Sequence, residues 1–419
     1  MVSRLDRVKE RKFKNIILGC IIIGVLVCTI TAYNSVAGAG QKISIEEINP
    51  KDITEEKPIE DITISSVGNI LFHGDQLRGA KNNGEYNFSP SFEYIKDYID
   101  KDLGIGVLET TFLGRNYSGY PQFITPDSAL DSIKETGIDV VNYATNHIID
   151  SGSEGFNRTI DITKEKNLDI IGVRETKNDK KYLIKDVGDY KIGMISYGFE
   201  TPKKNGVRTI NSMTIPSSIS GLINTVNYGE LNSFYADVEE NILDMKNNGA
   251  QFIIVGVHWG EEYNTYASNI QKNMANQLSE LDIDIILGGH PHVIQPYETI
   301  VNSNGEKVFV AYSQGNFLSN QCYERLGDAR TEDGIIINFN IGYNENEEVV
   351  LKEYEVIPTW VHRKYNSNGL YSHKIIPVQD ALNNLEEYNL TETEEVRLNR
   401  SLESTTSILG DDILGKKEF

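Results

Sequence analysis

Five histidines lie in four short polar segments, and each segment follows a run of apolar residues. They are His73, His147, His258, His290 and His292. Imidazole nitrogens bind divalent metal ions and transfer protons near neutral pH, so this pattern indicates a metal or catalytic site. The runs rich in Val and Ile before the segments are typical of buried strands. Because neighbouring strands deliver their loops to one edge of a sheet, we expect these distant segments to meet.

The segment GGHPHVIQ at 288–295 has the most specific spacing. Its two imidazoles, His290 and His292, are separated by one residue, and in a turn they can converge on a one- or two-metal centre. Gln295, which ends the segment, either contacts substrate or ties its own loop.

Three further segments offer other ligands. In ATNH, Asn146 supplies an amide oxygen and His147 a proton donor or a charge stabiliser. Glu109 ends the apolar run GIGVLE, where it can bridge two cations or cap the next helix. His73 in GNILFHGD either joins the site or only packs against its loop.

The charge of the chain restricts the partners. The formal net charge is −21, and residues 1–40 carry six basic and two acidic side chains, so the remainder carries −25. An acidic body is repelled by phosphate backbones and attracts divalent cations, which argues against nucleic acid as a partner. Solubility alone also explains such a charge.

An uncharged apolar run extends over residues 16–32, after a basic segment. Its length is at the lower limit of a membrane-spanning helix, about 17–25 residues, and the basic flank predicts a cytoplasmic N-terminus. We expect a single-pass signal-anchor with the C-terminal domain extracytoplasmic. A cleaved signal peptide is the alternative, because small residues follow at Ser35 and 37–39. Cys322 is the single cysteine after this run, which excludes an internal disulfide and a cysteine-rich zinc site in the body.

Apolar runs alternate with amphipathic segments from residue 61 onward, which predicts an α/β fold with a largely parallel sheet. We divide the chain into a basic tail (1–15), the membrane segment (16–32), an acidic linker (33–60), the main domain (61–345) and a partly helical C-terminal extension (346–419). A long loop rich in Ser, Asn and Gly at 202–229 could act as a lid. The predicted strands are Ile62–Val67, Ile105–Leu108, Asp139–Tyr143, Ile170–Val173, Lys191–Tyr197, Phe252–His258, Ile283–Leu287, Val308–Tyr312 and Ile335–Ile341. The predicted helices are Pro126–Thr136, Gly155–Lys166, Val238–Asn247, Ile270–Leu281, Val378–Tyr388 and Thr391–Leu402.

These segments, in this order, resemble the CapA-type proteins of poly-gamma-glutamate capsule biosynthesis. The matching pieces extend from about Ile62 to Ile341 and include SVGNILFH, VLETTF, IDVVNYATNHIIDSG, VHWGEEY, DIILGGHPHVIQP and YSQGNFLSNQ. The domain of that family is similar to the calcineurin-like metallophosphoesterases, so the resemblance implies an αββα sandwich. An unrelated α/β hydrolase is the runner-up, and the absence of a GxSxG motif argues against it.

The resemblance implies a set of metal ligands: Asn69, Glu109, Asn146, His258, His290 and His292, with His147 and Asn146 as catalytic residues. One substitution departs from the family pattern, because Asn69 stands where an Asp is usual, and Leu71 stands where the phosphoesterase-like motif has a His. A neutral amide binds a cation less well than a carboxylate. His73 or Asp75 could compensate.

Four neighbouring residues complete the predicted site. Trp259 and Glu262 lie beside His258, where they could form a wall and an acceptor for an imidazole N–H, although Trp259 could equally be a core residue. Asn316 lies in the turn YSQGNF, which we expect near the histidine loops, and Gln295 is the fourth.

The resemblance implies a membrane-anchored protein of capsule or cell-envelope polymer synthesis, and it leaves two functions open. The first is a metal-dependent hydrolase that uses one or two divalent ions (Mn, Zn, Fe or Mg) on a phosphate ester or on poly-gamma-glutamate. The second is a non-catalytic assembly or export factor for the anionic polymer, working with membrane-bound synthase partners. Offsetting the charge of such a polymer needs metal or basic side chains, and Arg78, Arg115 and Arg174 are the nearest in sequence.

Overall fold

Strands and helices alternate along the chain, and the predicted α/β class is confirmed. The computed structural model describes residues 59–410 and 413–419. Residues 60–419 form one compact unit. The predicted basic tail and membrane segment lie outside the described residues. Among the helices within these ranges, none is long and apolar enough to cross a membrane.

The first sheet has nine strands among the described residues. Asn316–Leu318 pairs in parallel with the end of Ile62–Ile70, and Gly415–Glu418 pairs with Val349–Tyr365. The other seven follow one another across the sheet in the order Tyr371–Pro377, Val349–Tyr365, Asp333–Tyr343, Ile62–Ile70, Leu103–Leu108, Val140–Asn142 and Asp169–Ile171. The last four are parallel, and the first three are antiparallel to their neighbours.

The second sheet has seven strands in the described part of the chain. Leu183–Val187 pairs with Tyr190–Phe199 at one side. The others follow in the order Thr225–Val226, Tyr190–Phe199, Phe252–His258, Ile285–Gly289, Lys307–Gln314 and Ile294–Val301. All are parallel except Ile294–Val301, which is antiparallel to Lys307–Gln314.

The two sheets pack face to face, and helices cover their outer faces. Ile254 of the strand Phe252–His258 lies in the core between the sheets, whereas Ile253 and Val255 pack with the helices outside. Successive side chains of a strand point to opposite faces, so a strand buried on both sides is apolar throughout. This explains why Phe252–His258 was predicted with its observed bounds.

The helices and minor elements connect these strands. Ser128–Glu135 and Gly152–Glu165 pack on the first sheet, and Leu231–Asn247 and Asn269–Ser279 pack on the second. The remaining helices are Gly74–Ala80, Lys96–Ile99, Tyr323–Leu326, Val378–Asn383 and Glu392–Leu409, with 3-10 turns at Ser89–Ser91 and Ala329–Glu332 and a two-stranded ribbon of Lys81–Asn82 and Glu85–Tyr86.

Several regions differ from the sequence prediction. The helix predicted at Val378–Tyr388 ends at Asn383. The segment at 202–229, predicted as a loop, overlaps a small sheet of Thr201–Lys204, Val207–Ile210 and Met213–Thr214. The C-terminal extension contains the long strand Val349–Tyr365, whose residues 349–360 pair with Asp333–Tyr343. The formation of this strand therefore depends on hydrogen bonding to its neighbour, and the local sequence pattern did not predict it. The predicted domain boundaries stay a prediction.

Candidate metal centre and its cavity

The polar segments meet at the carboxyl ends of parallel strands from both sheets. Asn69 lies near the end of Ile62–Ile70, and Glu109 directly follows Leu103–Leu108 in the first sheet. His258 ends its strand in the second sheet, and His290 directly follows the strand after it. Carboxyl ends of neighbouring parallel strands lie at one edge of a sheet, so this convergence follows from the topology.

Close contact between the sheets fixes the position of Asn69. The backbone N–H of Asn69 donates to the carbonyl of Gly315 at 3.0 Å, and Ser66 and Gln314 exchange hydrogen bonds across the same junction. A Cβ at Gly68 would lie 2.1 Å from the Gly315 oxygen, so only glycine permits this approach. Gln314 therefore has a structural role at this junction.

Three side chains form the centre of the site: Glu109, His258 and His290. One ligand atom from each lies within 4.8 Å of the others, and all three residues are buried. Gly289 leaves room for them, because a Cβ there would lie 3.0 Å from Asn69 Oδ1 and 3.5 Å from His258 Nδ1. His290 has a backbone φ of 99°, a left-handed conformation that turns its side chain into the group.

Several buried polar atoms at this centre lack a hydrogen-bond partner within the described residues. They are both carboxylate oxygens of Glu109, Asn69 Oδ1, and Nδ1 of His258 and His290. A buried polar atom without a partner costs about 1–3 kcal/mol, and several in one place need a common explanation. Nitrogen and carboxylate donors are those that bind Zn, Mn or Fe, so the residues present fit a divalent cation.

The ionisation states of the two histidines agree with metal binding. Burial lowers the pKa of both His258 and His290 well below its usual range, and the neighbouring imidazoles add to this effect. Both rings are therefore neutral at pH 7, and neutral imidazole is the form that ligates metal. Burial also raises the pKa of Glu109, although the charges of His292 and His147 oppose this.

Two asparagines orient the imidazoles. Nε2 of His258 donates to Asn146 Oδ1 at 2.8 Å, which leaves the Nδ1 lone pair free. The amide of Asn316 donates to the backbone carbonyls of His292 and Thr331, so its oxygen accepts from His292 Nδ1 at 3.0 Å. His292 Nε2 then presents a lone pair 3.8 Å from Glu109 Oε1. Tautomers of metal-binding histidines are commonly fixed in this way.

The Asn69 amide nitrogen lies 3.1 Å from the same Nδ1 of His292 and could donate only in the other tautomer. The sequence predicts metal ligation by Asn69, Asn146 and His292, and the structure places all three beside the central group. Their roles as ligands stay a prediction.

His147 and Asp150 form a pair next to the centre. His147 Nδ1 lies 2.7 Å from Asp150 Oδ2, and this carboxylate also accepts the backbone N–H of Phe123 at 2.7 Å. Burial lowers the pKa of His147, but the Asp150 hydrogen bond and the charge of Glu109 outweigh it and raise the pKa above its ordinary value. The raised pKa favours the protonated form of the ring, which is the form that a proton donor requires.

A cavity of about 860 Å³ opens beside the centre. Asn146, His147 and His292 line it together with His73 and Glu262. Asn211 and Met213 of the small three-stranded sheet also line it, at the segment that the sequence predicted as a lid. Through this cavity, His147 and His292 are accessible to a ligand.

The remaining predicted residues have varied positions. His73 lines the cavity, and burial lowers its pKa to about 3, so it is neutral. Burial raises the pKa of Glu262, which also lines the cavity. Trp259 is fully buried and donates to the Tyr312 carbonyl at 2.9 Å, a core role. Gln295 donates to the carbonyls of Asn264 and Tyr266, so it ties the loop after His258 to its own strand, Ile294–Val301.

Sequence reasoning missed two residues of the region. Asp150 lies three positions after His147, and that spacing within one turn was the available signal. Arg325 reaches the cavity from a short helix far along the chain, and it had no local signal. Of the arginines proposed from sequence, Arg78 lines the cavity, whereas Arg115 pairs with Glu154 and Arg174 bonds to Asn224 outside it.

Comparison with known proteins identifies the family. Residues 63–321, more than half of the chain, match the family described as Bacterial capsule synthesis protein PGA_cap. The chain therefore belongs to this family, and the predicted CapA-type resemblance is confirmed. Membership supports an involvement in capsule biosynthesis.

Two curated relatives agree with this assignment. Capsule biosynthesis protein CapA of Bacillus anthracis is 27% identical over 326 residues, covering 74% of this chain and 72% of that protein. PGA biosynthesis protein CapA of Bacillus subtilis (strain 168) is 28% identical over 316 residues, covering 74% of this chain and 67% of that protein.

A solved structure, the sulfate thiohydrolase SoxB of Thermus thermophilus in complex with glycerol, is similar over 73% of this chain but only 42% of that protein. Its identity of 12% and TM-score of 0.35 are too low to support an inference.

Proposed function

We propose that this protein acts in capsule synthesis at the cell envelope as a metal-dependent hydrolase of an anionic polymer, with poly-gamma-glutamate as the substrate class. The carrying observation is the buried group of Glu109, His258 and His290, whose lone pairs lack donors within the described residues. The layered packing of two sheets between helices is the arrangement expected of a metallophosphoesterase-like domain. We place the domain outside the cell, anchored by residues 16–32.

The residues of this chain divide the chemistry between them. A bound divalent ion, most suitably Zn, Mn or Fe with these donors, would polarise a substrate oxygen and lower the pKa of a water molecule. Glu109, His258 and His290 would hold it, with Asn69, Asn146 and His292 adjacent. Asn146 orients the imidazole of His258, and Asn316 orients that of His292, so that each ring presents a lone pair to the centre.

His147 supplies the proton. In hydrolysis, the water oxygen adds to the carbonyl carbon or phosphorus, the bond to the leaving nitrogen or oxygen breaks, and one proton must reach the leaving atom. With Nδ1 bound to Asp150, the other ring nitrogen of His147 is the one available to the cavity. Asp150 stabilises the imidazolium and fixes the orientation of its ring.

A second candidate function is non-catalytic assembly or export of the polymer. Asn69 favours it, because a neutral amide at this position gives the centre less negative charge than a carboxylate would. The same fold would then present the polymer to membrane-bound synthase partners without cleaving it.

Elemental analysis and a hydrolysis assay on the purified full-length protein test the proposal. We expect one or two equivalents of a divalent metal per chain, and metal-dependent cleavage of either poly-gamma-glutamate or a model phosphodiester. Metal far below one equivalent, with no turnover after Mn or Zn is added, would leave the assembly role. Membrane fractionation and the mass of the mature protein check the anchor.

A further inference from the structure

The lining of the cavity includes an arginine cluster that the proposed chemistry does not use. Asp75 is buried, and its carboxylate accepts hydrogen bonds from the guanidinium groups of Arg78, Arg325 and Arg363. Asn320 adds a fourth donor at 3.2 Å. One negative charge therefore stands against three positive ones.

The three guanidinium groups are not equivalent. Arg363 is only 9% exposed, stacks 3.4 Å from the Tyr371 ring centroid and donates to Asn320, so it is a structural residue. Arg78 and Arg325 are 64% and 51% exposed, and both line the cavity. Each makes one side-chain hydrogen bond within the described residues, to Asp75, and a guanidinium has five N–H donors. Most donors of these two groups remain available to a ligand.

Neighbouring groups do not cancel the excess charge. His73 and His373, which contact Asn320, both have a pKa lowered to about 3 by burial and are neutral. Among the residues that line the cavity, Glu262 is the one carboxylate besides Asp75. The cluster thus carries a net positive charge of two, with its fixed partner buried beneath it.

From this arrangement we propose that Arg78 and Arg325 form a recognition subsite for carboxylate groups of a polyanionic chain, in the cavity that opens beside the metal centre and is also lined by His147 and His292. This rests on the proposed function and specifies its substrate: a polymer bearing an anionic group beyond the bond at the centre. Asp75 holds both arginines in position, so little side-chain freedom is lost on binding. A cavity of about 860 Å³ has room for more than one repeating unit.

Binding of a fluorescently labelled γ-linked glutamate oligomer tests the subsite without requiring turnover. We expect Arg78→Gln and Arg325→Gln each to weaken binding by about tenfold, the effect of losing a charge-assisted hydrogen bond. Arg330→Gln is the matched control, because Arg330 is also an exposed arginine paired with an aspartate, Asp328, but lies outside the cavity. An oligomer with its free carboxyls converted to amides should bind no better to wild type than to the variants.

Two further arms separate this inference from the proposed function. Arg78→Lys and Arg325→Lys keep the charge, and we expect them to recover part of the affinity if a Gln variant is poorly folded. His290→Ala removes a metal ligand. Weaker binding in His290→Ala with unchanged binding in both arginine variants would overturn the subsite and leave the metal centre standing. Weaker binding in both arginine variants with unchanged binding in His290→Ala would establish the subsite and count against metal-assisted binding. No measurable binding by wild type, or stronger competition by tripolyphosphate than by the unlabelled oligomer, would overturn the carboxylate assignment.

Discussion

The metal centre and the arginine cluster each contain a buried carboxylate, and the two carboxylates have opposite surroundings. At the metal centre, Glu109 is fully buried and neither of its oxygens has a hydrogen-bond donor within the described residues. At the arginine cluster, Asp75 is nearly as buried but receives three guanidinium groups and an amide. At the metal centre the described residues supply no donor to the carboxylate, and in our proposal a cation would bind there, whereas the arginine cluster supplies its own donors and retains positive charge.

Removing a ligand from the metal centre should have the largest effect. We expect His290→Ala or His292→Ala to lower metal affinity by more than about 100-fold, beyond the effect of losing a residue that only orients a ligand. Metal content after dialysis measures this. His373→Ala is the matched control, a buried histidine of the arginine cluster, and should keep the metal. Unchanged occupancy in His290→Ala would contradict the assignment of the centre.

Breaking the His147–Asp150 pair should affect turnover and spare metal binding. We expect Asp150→Asn to reduce kcat by about 10²- to 10⁴-fold, the range for losing a positioned proton donor. Asp150 raises the pKa of His147, so this pKa should be lower in the variant. The alkaline limb of its pH–rate profile should therefore lie at lower pH than that of wild type. A pH–rate profile with metal analysis tests both points. An alkaline limb at the same pH in both proteins would show that His147 is not the donor.

The arginine cluster should make the stability of the folded protein depend on pH. Burial alone would raise the pKa of Asp75, but Arg325, Arg363 and Arg78 lower it from 3.8 to about 2. A depressed folded-state pKa stabilises the protein above the unfolded pKa, and the contribution disappears as pH falls from about 4 to about 2. We expect Asp75→Asn to lower the free energy of unfolding by about 2 kcal/mol at pH 7, from that shift.

Chemical denaturation of wild type and Asp75→Asn across this pH range measures the effect. Asp61→Asn, which removes an exposed ion pair with Lys352, should cost less than about 1 kcal/mol. A difference between Asp75→Asn and wild type that persists at pH 2 would mean that the loss comes from packing.

The smallest predicted change is a gain at the metal centre. Asn69→Asp would place a negative charge where Asn69 Oδ1 has no donor among the described residues, 3.0 Å from the Cβ position of Gly289. We expect metal affinity to rise by about tenfold, because affinity follows the number of charged ligands. Competition with a chelator measures it. Weaker binding would show that the amide is part of a centre adapted to a neutral residue.

How much the sequence could predict differed between strands. Phe252–His258 is apolar throughout because both of its faces are buried, and its bounds were predicted correctly. Val349–Tyr365 mixes buried and half-buried positions and contains Pro358, so its period is weak. Antiparallel pairing with its neighbour Asp333–Tyr343 stabilises the strand, although its local strand propensity is weak.

The same contrast applies to the site residues. Each metal-centre residue carries a signal within its own segment, since it ends an apolar run or repeats a histidine, and the family resemblance collects these segments. Arg325 and Arg363 lie 250 and 288 positions after Asp75, and no periodicity in the sequence indicates that the three residues meet.

By itself, the sequence determined the alternation of strands and helices, the family, and the residues able to bind a metal. These depend on side-chain type and short spacing, and such properties are local. Only the tertiary structure decided which of these lone pairs are left without donors, that Asp150 orients His147, and that three arginines share one buried carboxylate. Those features depend on burial and on distances between remote segments, which exist only once the two sheets have packed together.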